Sequence, residues 1–334
     1  MSTVSIIVPC YNEAVNIPLL LRRIEAALKA VEEVEYDVLL IDDGSNDSTP
    51  SVLELCRLEN PHVGFIRFVR NFGHQAALLA GLQHVRGDAV IVMDADLQHP
   101  PELLPEMIRS WRCGFDVVQA IRRVQPGVAK SLSSGAFYSL LNWISEIEIP
   151  NGAADFRLMS RRAVDSLLAL PERTRFMRGL ITWLGFPCTT IAFEAPLRQF
   201  GRSKYDVRKM LGLAVEGIVS ISHKPLHLAL YAAAFTLIAA IVYFFFVITQ
   251  YVRGVQLVPG WPSTILTTLI LGSVNLLCTG ILGLYVRATL VEVRRRPTYI
   301  VSEYVPSLVD PKHSFSAVQS EEARRKSASG GSKA

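Results

Sequence analysis

The sequence predicts an α/β fold, a mostly parallel sheet with helices on both faces, followed by membrane-interfacial helices and two transmembrane helices. Two patterns and one composition carry this expectation. Short β-branched runs alternate with helical periodicity over roughly the first 200 residues, the pattern of a parallel sheet covered on both faces. Two later stretches, 226–247 and 263–286, contain no Asp, Glu, Lys or Arg. Across all 334 residues 50% are hydrophobic and only 19% charged, against about 25% charged in soluble domains.

Taken in order, strands are expected at 4–9, 38–42, 63–68, 89–94 and 117–121, each a short run rich in Val, Ile and Phe. Helices are expected between them at 17–30, 49–59, 75–85 and 101–112. Residues 205–221 place Val207, Leu211, Ala214, Val215, Ile218 and Ile221 on one helical face, with Arg208 and Lys209 near the start. That fits an interfacial amphipathic helix, and an ordinary core-facing helix fits nearly as well. The aromatic-rich stretch 133–144 is a second interfacial candidate.

At ~1.5 Å per residue both charge-free stretches exceed the ~30 Å hydrocarbon core, so both read as membrane spans. The link between them holds one basic residue, Arg253, with Tyr251 and Trp261 suited to an interface. Basic residues crowd the other ends, at Lys224 and at Arg287, Arg294, Arg295 and Arg296. The positive-inside rule then puts both termini and the large N-terminal part in the cytoplasm and leaves only the short link outside, as in a multi-pass membrane protein. The expected organisation is a cytoplasmic domain at 1–204, an interfacial helix at 205–224 and spans at 225–250 and 263–287 around an extracytoplasmic link at 251–262. A cytoplasmic segment at 288–305 returns to the first domain, and a disordered tail occupies 306–334, rich in Ser, Lys, Arg and Gly.

The net charge of +4 is too slight to suggest a nucleic-acid partner, and none is expected. Cys10, Cys56, Cys113, Cys188 and Cys278 are scattered without a C-x-x-C pair, as buried small hydrophobes in a reducing compartment would be. The first nine residues read as a strand, so no cleaved signal peptide is expected.

Polar residues gather where strands end: Pro9-Cys10-Tyr11-Asn12-Glu13, Asp42-Asp43-Gly44-Ser45 and Asp94-Ala95-Asp96 with Gln98. In such sheets ligands bind at the carboxyl ends of the strands. Two carboxylates at i and i+2 past a strand can converge on a hard cation, Mg2+ or Mn2+, that also holds substrate phosphates. Alone, the acidic pair also reads as a solvated turn before His99-Pro100-Pro101. Three polar clusters on one rim read as a site. Neither a P-loop nor a strand-anchored G-x-G-x-x-G is present, which disfavours kinase and dinucleotide chemistry.

The ordered set VSIIVPCYNEAVNI, IDDGSNDST, NFGHQAALLAGL, MDADLQHPPE, ADFRLMSR and RSKY resembles family 2 glycosyltransferases of the GT-A fold. Within that family it is similar to polyprenyl-phosphate glycosyltransferases with two C-terminal membrane helices, including bacterial undecaprenyl-phosphate glucosyltransferases and dolichyl-phosphate mannose synthases. The resemblance implies that Pro9, Tyr11 and Glu13 cradle the base and ribose of a nucleotide sugar, with Asp42 near the base and with Asp43 and Asp94 also among the nucleotide-sugar-binding residues. Asp94, Asp96 and Gln98 would hold the cation, and Asp155 matches the position usually considered for the catalytic carboxylate. Arg198, Arg202 and Lys204, on a loop leading into the interfacial helix, are candidates for the lipid phosphate, the sugar diphosphate or anionic headgroups. Arg122 is a further phosphate candidate, and Lys130 another within a looser motif. Asp155 serves either as a base or as an orienting group, because a polyprenyl phosphate is already ionised near pH 7. Against an ordinary ion pair of Asp155 with Arg157, the resemblance favours catalysis.

The implied reaction is inverting transfer of a sugar, UDP-glucose being the first donor, to undecaprenyl phosphate for cell-envelope glycan modification. Mannose, N-acetylhexosamine or modified arabinose are alternative donor sugars. A processive polysaccharide synthase is more remote, because Gln199-Phe200-Gly201-Arg202 is followed by Ser203 where a Q-x-x-R-W motif has Trp. A non-enzymatic membrane protein would have no need of the acidic pair. A homo-oligomer, a tetramer by resemblance, is the expected assembly.

Overall fold

The computed structural model describes residues 2–123, 153–172, 177–194, 224–253 and 260–309. Its first compact unit is a sheet with helices on both faces, and its second holds two long helices.

The sheet carries β1 (Ser2–Cys10), β2 (Val34–Asp42), β3 (Val63–Phe68), β4 (Ala89–Val92), β5 (Val117–Arg122), β6 (Ala153–Ser160), β7 (Cys188–Phe193) and β8 (Val301–Val305), in the order β7-β5-β6-β4-β1-β2-β3-β8. The pairs β1–β2, β1–β4, β2–β3 and β5–β7 are parallel. β6 runs antiparallel to both β4 and β5, and β8 runs antiparallel to β3. The carboxyl ends of β1, β2, β4 and β5 therefore share one rim.

β1 is buried from Val4 to Cys10, as a central strand covered on both faces must be. One face packs against α1 (Asn16–Leu28), α2 (Thr49–Glu59) and α4 (Leu104–Arg112), with Ile17, Leu20, Leu53, Met107 and Phe156 in the core. The other packs against α3 (His74–His84), α5 (Arg161–Ala169) and α6 (Met177–Trp183), around Ile7, Ile66, Leu79, Val164 and Ile181. The strands and helices expected between residues 4 and 121 are all present to within a few residues. The fourth strand ends at Val92 rather than Asp94, which leaves the acidic pair on the loop beyond it, and 101–103 forms a 3-10 turn before α4.

Local chemistry explains the helix starts nearest the rim. Asp47 Oδ1 accepts the Thr49 N–H at 3.0 Å and Pro50 follows in the first turn of α2, where its missing N–H costs nothing. The Ser160 side chain caps α5 by accepting from Ala163 N–H. Gly44 adopts φ +69°, and a Cβ there would meet the Arg70 carbonyl carbon at 2.4 Å, so only glycine lets these two loops approach so closely.

The second unit's helices are α7 (Lys224–Val252) and α8 (Trp261–Arg294). Each is long and apolar enough to cross a membrane. Phe235, Tyr243, Phe244, Leu276 and Leu277 are more than half exposed, so the pair does not bury its apolar surface as a soluble core hairpin would. α8 runs past the expected end of the second span at 287 because Ala288-Thr289-Leu290-Val291 continues the helix. After it, β8 joins the edge of the first unit's sheet beside β3. The interfacial candidates at 133–144 and 205–221, and residues 310–334, lie outside the described residues, whereas 306–309, expected as the start of the disordered tail, follow β8 with the Leu308 N–H donating to the Pro61 carbonyl at 2.8 Å. All five cysteines are free; Cys10 and Cys56 are buried as expected, whereas Cys113 and Cys188 are exposed and Cys278 is partly buried.

Candidate active site

Three loops meet at the rim and are laced together by side chains. Ser45 Oγ accepts the Asn12 N–H at 2.9 Å, Asn12 Oδ1 accepts the Asn46 N–H at 2.9 Å, and Thr49 Oγ1 accepts the Glu13 N–H at 3.0 Å. The loop after β1, which carries Tyr11 and Glu13, is thus fixed to the loop after β2. Asn12 adopts φ 58°, a conformation Asn tolerates better than most residues. Pro9 lies buried within β1 rather than on the loop.

Asp42 and Asp43 divide the work of the second loop. Asp43 accepts the N–H groups of Phe72 at 2.6 Å and Gly73 at 2.9 Å, tying β2 to the start of α3. Burial pushes the Asp43 carboxyl up, and those two N–H groups partly offset it. Asp42 is fully buried and its Oδ1 accepts the Ser45 N–H at 2.9 Å.

The acidic pair sits on a shaped turn. Leu97 is in the left-handed region at φ 61° with its side chain buried, so packing holds a conformation an unconstrained Leu avoids. Gln98 N–H donates to Asp96 Oδ1 at 3.1 Å. His99 is buried, stacked on Phe156 at 5.1 Å, and its Nδ1 accepts the Asp94 N–H at 2.9 Å. That bond assigns the ring proton to Nε2, which faces Asp94 Oδ2 at 3.6 Å.

Asp155 arrives from the opposite direction. Val92 pairs with Arg157, and continuing that antiparallel register brings position 155 opposite 94. Opposite β5 the register shifts between Gln119↔Arg157 and Ile121↔Ala153, so β6 bulges around Asp155 and re-aims it. Arg157 Nη2 reaches its Oδ1 at 2.7 Å, and Arg178 of α6 grips it with Nε at 2.9 Å and Nη2 at 2.7 Å. His74, first residue of α3, joins the two acidic positions: its Nε2 lies 3.6 Å from Asp94 Oδ1 and 3.6 Å from Asp155 Oδ2.

These contacts set the charges. Burial alone would raise the Asp155 carboxyl, but His74 and the guanidiniums of Arg178 and Arg157 outweigh it and hold it well below the ordinary carboxylate range. Burial would lower His74, and the carboxylates of Asp155 and Asp94 more than compensate, raising it. The site therefore presents alternating anions and cations rather than an acidic patch.

The structure thus brings Asp94, Asp96, Gln98 and Asp155 to one end of the sheet, with Tyr11, Glu13, Asp42 and Asp43 along the same rim. Arg122 ends β5 on that rim and is exposed. Lys130, Arg198, Arg202 and Lys204 lie outside the described residues. His74, His99 and Arg178 are the neighbours that sequence reasoning did not single out. His74 and His99 stand inside the quoted motifs, and Arg178 interrupts an apolar helical run, a signal that a charge is being used inside the fold.

Residues 5–168 match the family described as Glycosyl transferase family 2. The uncharacterized glycosyltransferase YkcC of Bacillus subtilis is 38% identical over 301 residues, 90% of this chain and 93% of its own length. The chain belongs to glycosyltransferase family 2. It is a glycosyltransferase. The SfII prophage-derived bactoprenol glucosyl transferase of Shigella flexneri is 37% identical over 302 residues, 90% of this chain and 97% of that protein. Among solved structures, the mannosyltransferase PcManGT from Pyrobaculum calidifontis in complex with GDP-Man and Mn2+ aligns over 88% of each chain at 18% identity and a TM-score of 0.46.

Proposed function

We propose that this family 2 glycosyltransferase moves one sugar from a nucleotide sugar, UDP-glucose first among donors, to a polyprenyl phosphate at the cytoplasmic face of the cell membrane. The product is a lipid-linked sugar for cell-envelope glycan modification. The observation that carries this is the shared rim: His74 lies 3.6 Å from both Asp94 and Asp155, Arg178 grips Asp155, and Asp96 follows Asp94 on the same loop, in a chain that also has two membrane-length apolar helices. The bactoprenol glucosyl transferases at 35–37% identity support the acceptor class.

The donor set of the acidic turn fits a divalent cation, Mg2+ or Mn2+. Asp94 and Asp96 are two carboxylates in partial contact with solvent, and Gln98 adds an amide oxygen two residues on. Among the described residues no three His, Cys, Asp or Glu side chains close a metal site by themselves. The remaining positions then fall to phosphate oxygens and water, as is usual for Mg2+ with substrate phosphates. Such a cation supplies Lewis-acid stabilisation of the charge that builds on the leaving diphosphate.

The protein's own groups do the rest by orientation. His74 Nε2 lies 3.6 Å from one oxygen of Asp94 and His99 Nε2 3.6 Å from the other. Asp155, kept ionised and engaged by two guanidiniums, is an orienting anion for Arg178 and His74 rather than a base. The acceptor phosphate needs no base, since it is already ionised near pH 7. A single displacement on the anomeric carbon inverts it. Tyr11, Glu13 and Asp42 flank the nucleoside, and Arg122, Lys130, Arg198, Arg202 and Lys204 supply positive charge for phosphates. Residues 1–204 with the return strand β8 form the cytoplasmic catalytic domain in this reading, and the basic residues at the ends of α7 and α8 set the topology.

The test is a partition assay. Detergent-purified protein is incubated with polyprenyl phosphate and a panel of radiolabelled nucleotide sugars. Chloroform-soluble label supports the reading, and the donor giving most label identifies the sugar. Water-soluble polymer, or no turnover with any donor, contradicts it.

A further inference from the structure

Two buried polar atoms on the rim face each other without satisfying each other. Asp42 Oδ2 and Arg67 Nε are both sealed from solvent, both lack a hydrogen-bond partner among the described residues, and lie 3.7 Å apart. Orphaned buried polar groups are uncommon and costly. Here the acceptor is a carboxylate and the donor a guanidinium, so a small rotation of Arg67 would join them. What holds Arg67 back is on its other side. Its Nη1 lies 3.2 Å from Glu303 and its Nη2 3.5 Å from Glu54. Glu54 belongs to α2, whereas Glu303 belongs to β8 and is the direct cross-strand partner of Arg67. That register fixes Glu303 against the guanidinium more firmly than a side chain on a neighbouring helix could.

We infer that Glu303 is a positioning residue for the donor nucleotide, drawing Arg67 off Asp42 so that a nucleobase edge can reach the unpaired carboxylate oxygen. The inference rests on the reading of the rim as a nucleotide-sugar site. A base edge sets an N–H donor beside an acceptor, so it can satisfy Asp42 Oδ2 and Arg67 Nε together once the guanidinium moves outward. Glu303 and Glu54 already sit where that movement leads. The strand entering the sheet after the long helices is therefore part of donor recognition, although it lies more than 250 positions along the chain from Asp42.

The experiment uses the full chain in detergent with Mn2+. Calorimetry measures the Kd of UDP and of GDP for wild type, Glu303→Gln, Arg67→Ala and the double variant, and turnover gives kcat and the donor KM. Glu303→Gln lets Arg67 close onto Asp42, so the Kd of the preferred nucleotide and the donor KM should rise roughly three- to fivefold, the scale of a half-exposed ion pair. The kcat should stay within twofold. In the Arg67→Ala background nothing remains to be drawn away, so Glu303→Gln should have no further effect. An unchanged Kd in Glu303→Gln, or an equal effect with and without Arg67, overturns the inference. A merely structural role would instead lower kcat and unfolding temperature together, which also overturns it, and Glu303→Asp, retaining the charge, keeps the comparison open if Glu303→Gln folds poorly. Wild type binding neither nucleotide would sink the nucleotide-sugar reading itself, whereas binding that ignores Glu303 sinks only the role of β8.

Discussion

Arg178 holds Asp155 at both carboxylate oxygens, Nε to Oδ1 at 2.9 Å and Nη2 to Oδ2 at 2.7 Å, across 23 residues of sequence. Arg157 shares Oδ1 from within the same strand, so a carboxyl 6% exposed answers two guanidiniums. Replacing Asp155 by Asn leaves those charges uncompensated. Removing one partner of a buried pair costs about 3–5 kcal/mol, so Asp155→Asn should lower the urea midpoint of the sheet-bearing unit as well as transfer. Arg178→Lys should restore charge but not the two-point grip, recovering only part of the rate.

The same contacts fix the sign of the acid response. Asp155 binds its proton more weakly folded than unfolded, so its contribution is fully present above the ordinary carboxylate value of 3.8. That contribution is lost as pH falls from about 5 through the ordinary value toward the depressed one. Wild type should therefore lose stability steeply with acid, and Asp155→Asn should show a shallower slope over the same window. Equal slopes in the two proteins, measured by unfolding at a series of pH values, would separate Asp155 from acid stability.

The metal assignment is checked at Asp96. A rim carboxylate contributes little to the core, so Asp96→Ala should abolish transfer while the unfolding curve stays close to wild type. EDTA should do the same to wild type, reversibly on addition of Mg2+ or Mn2+. Full activity in Asp96→Ala, or under thorough chelation, would remove the acidic pair from the mechanism.

Gly44 tests the backbone of the donor loop. Alanine at φ +69° carries the strain of the left-handed region, and its Cβ would press on the Arg70 carbonyl carbon. Gly44→Ala should destabilise the protein by about 1–3 kcal/mol and raise the donor KM, because the loop carrying Asp42 and Asp43 must shift. A neutral unfolding curve would show that the loop yields easily.

Acceptor binding is tested at Arg202, which precedes the expected interfacial helix. Arg202→Ala removes a charge-assisted fork worth ~1.5–3 kcal/mol, so lipid-linked product should fall roughly ten- to hundredfold with nucleotide binding less affected. Lysine should rescue only partly. If Arg122→Ala abolishes transfer and Arg202→Ala does not, the acceptor phosphate belongs at the end of β5.

The sequence made β1, β2 and β3 legible because each is an apolar β-branched run ended by turn residues. Thr49–Glu59 was legible to the residue, since Asp47 and Pro50 mark its start. β6 was not read as a strand, because its burial of Asp155 and Arg157 depends on Arg178 and on a bulge that no local pattern encodes. β8 escaped for a related reason: Val301-Ser302-Glu303-Tyr304-Val305 has no apolar–polar alternation and becomes a strand only once β3 offers its edge. At the rim, residue types and spacing showed where the carboxylates gather. The partners that set their charge come from distant positions, His74 and Arg178, and only the fold brings them together.

The most direct test of the account is a mass spectrum of the lipid fraction after polyprenyl phosphate is incubated with the full chain, a divalent cation and its preferred nucleotide sugar. The account predicts one new species, the lipid phosphate carrying a single sugar residue, formed by wild type and missing with Asp96→Ala. An unchanged lipid, with the sugar recovered free or as a water-soluble polymer, would contradict it.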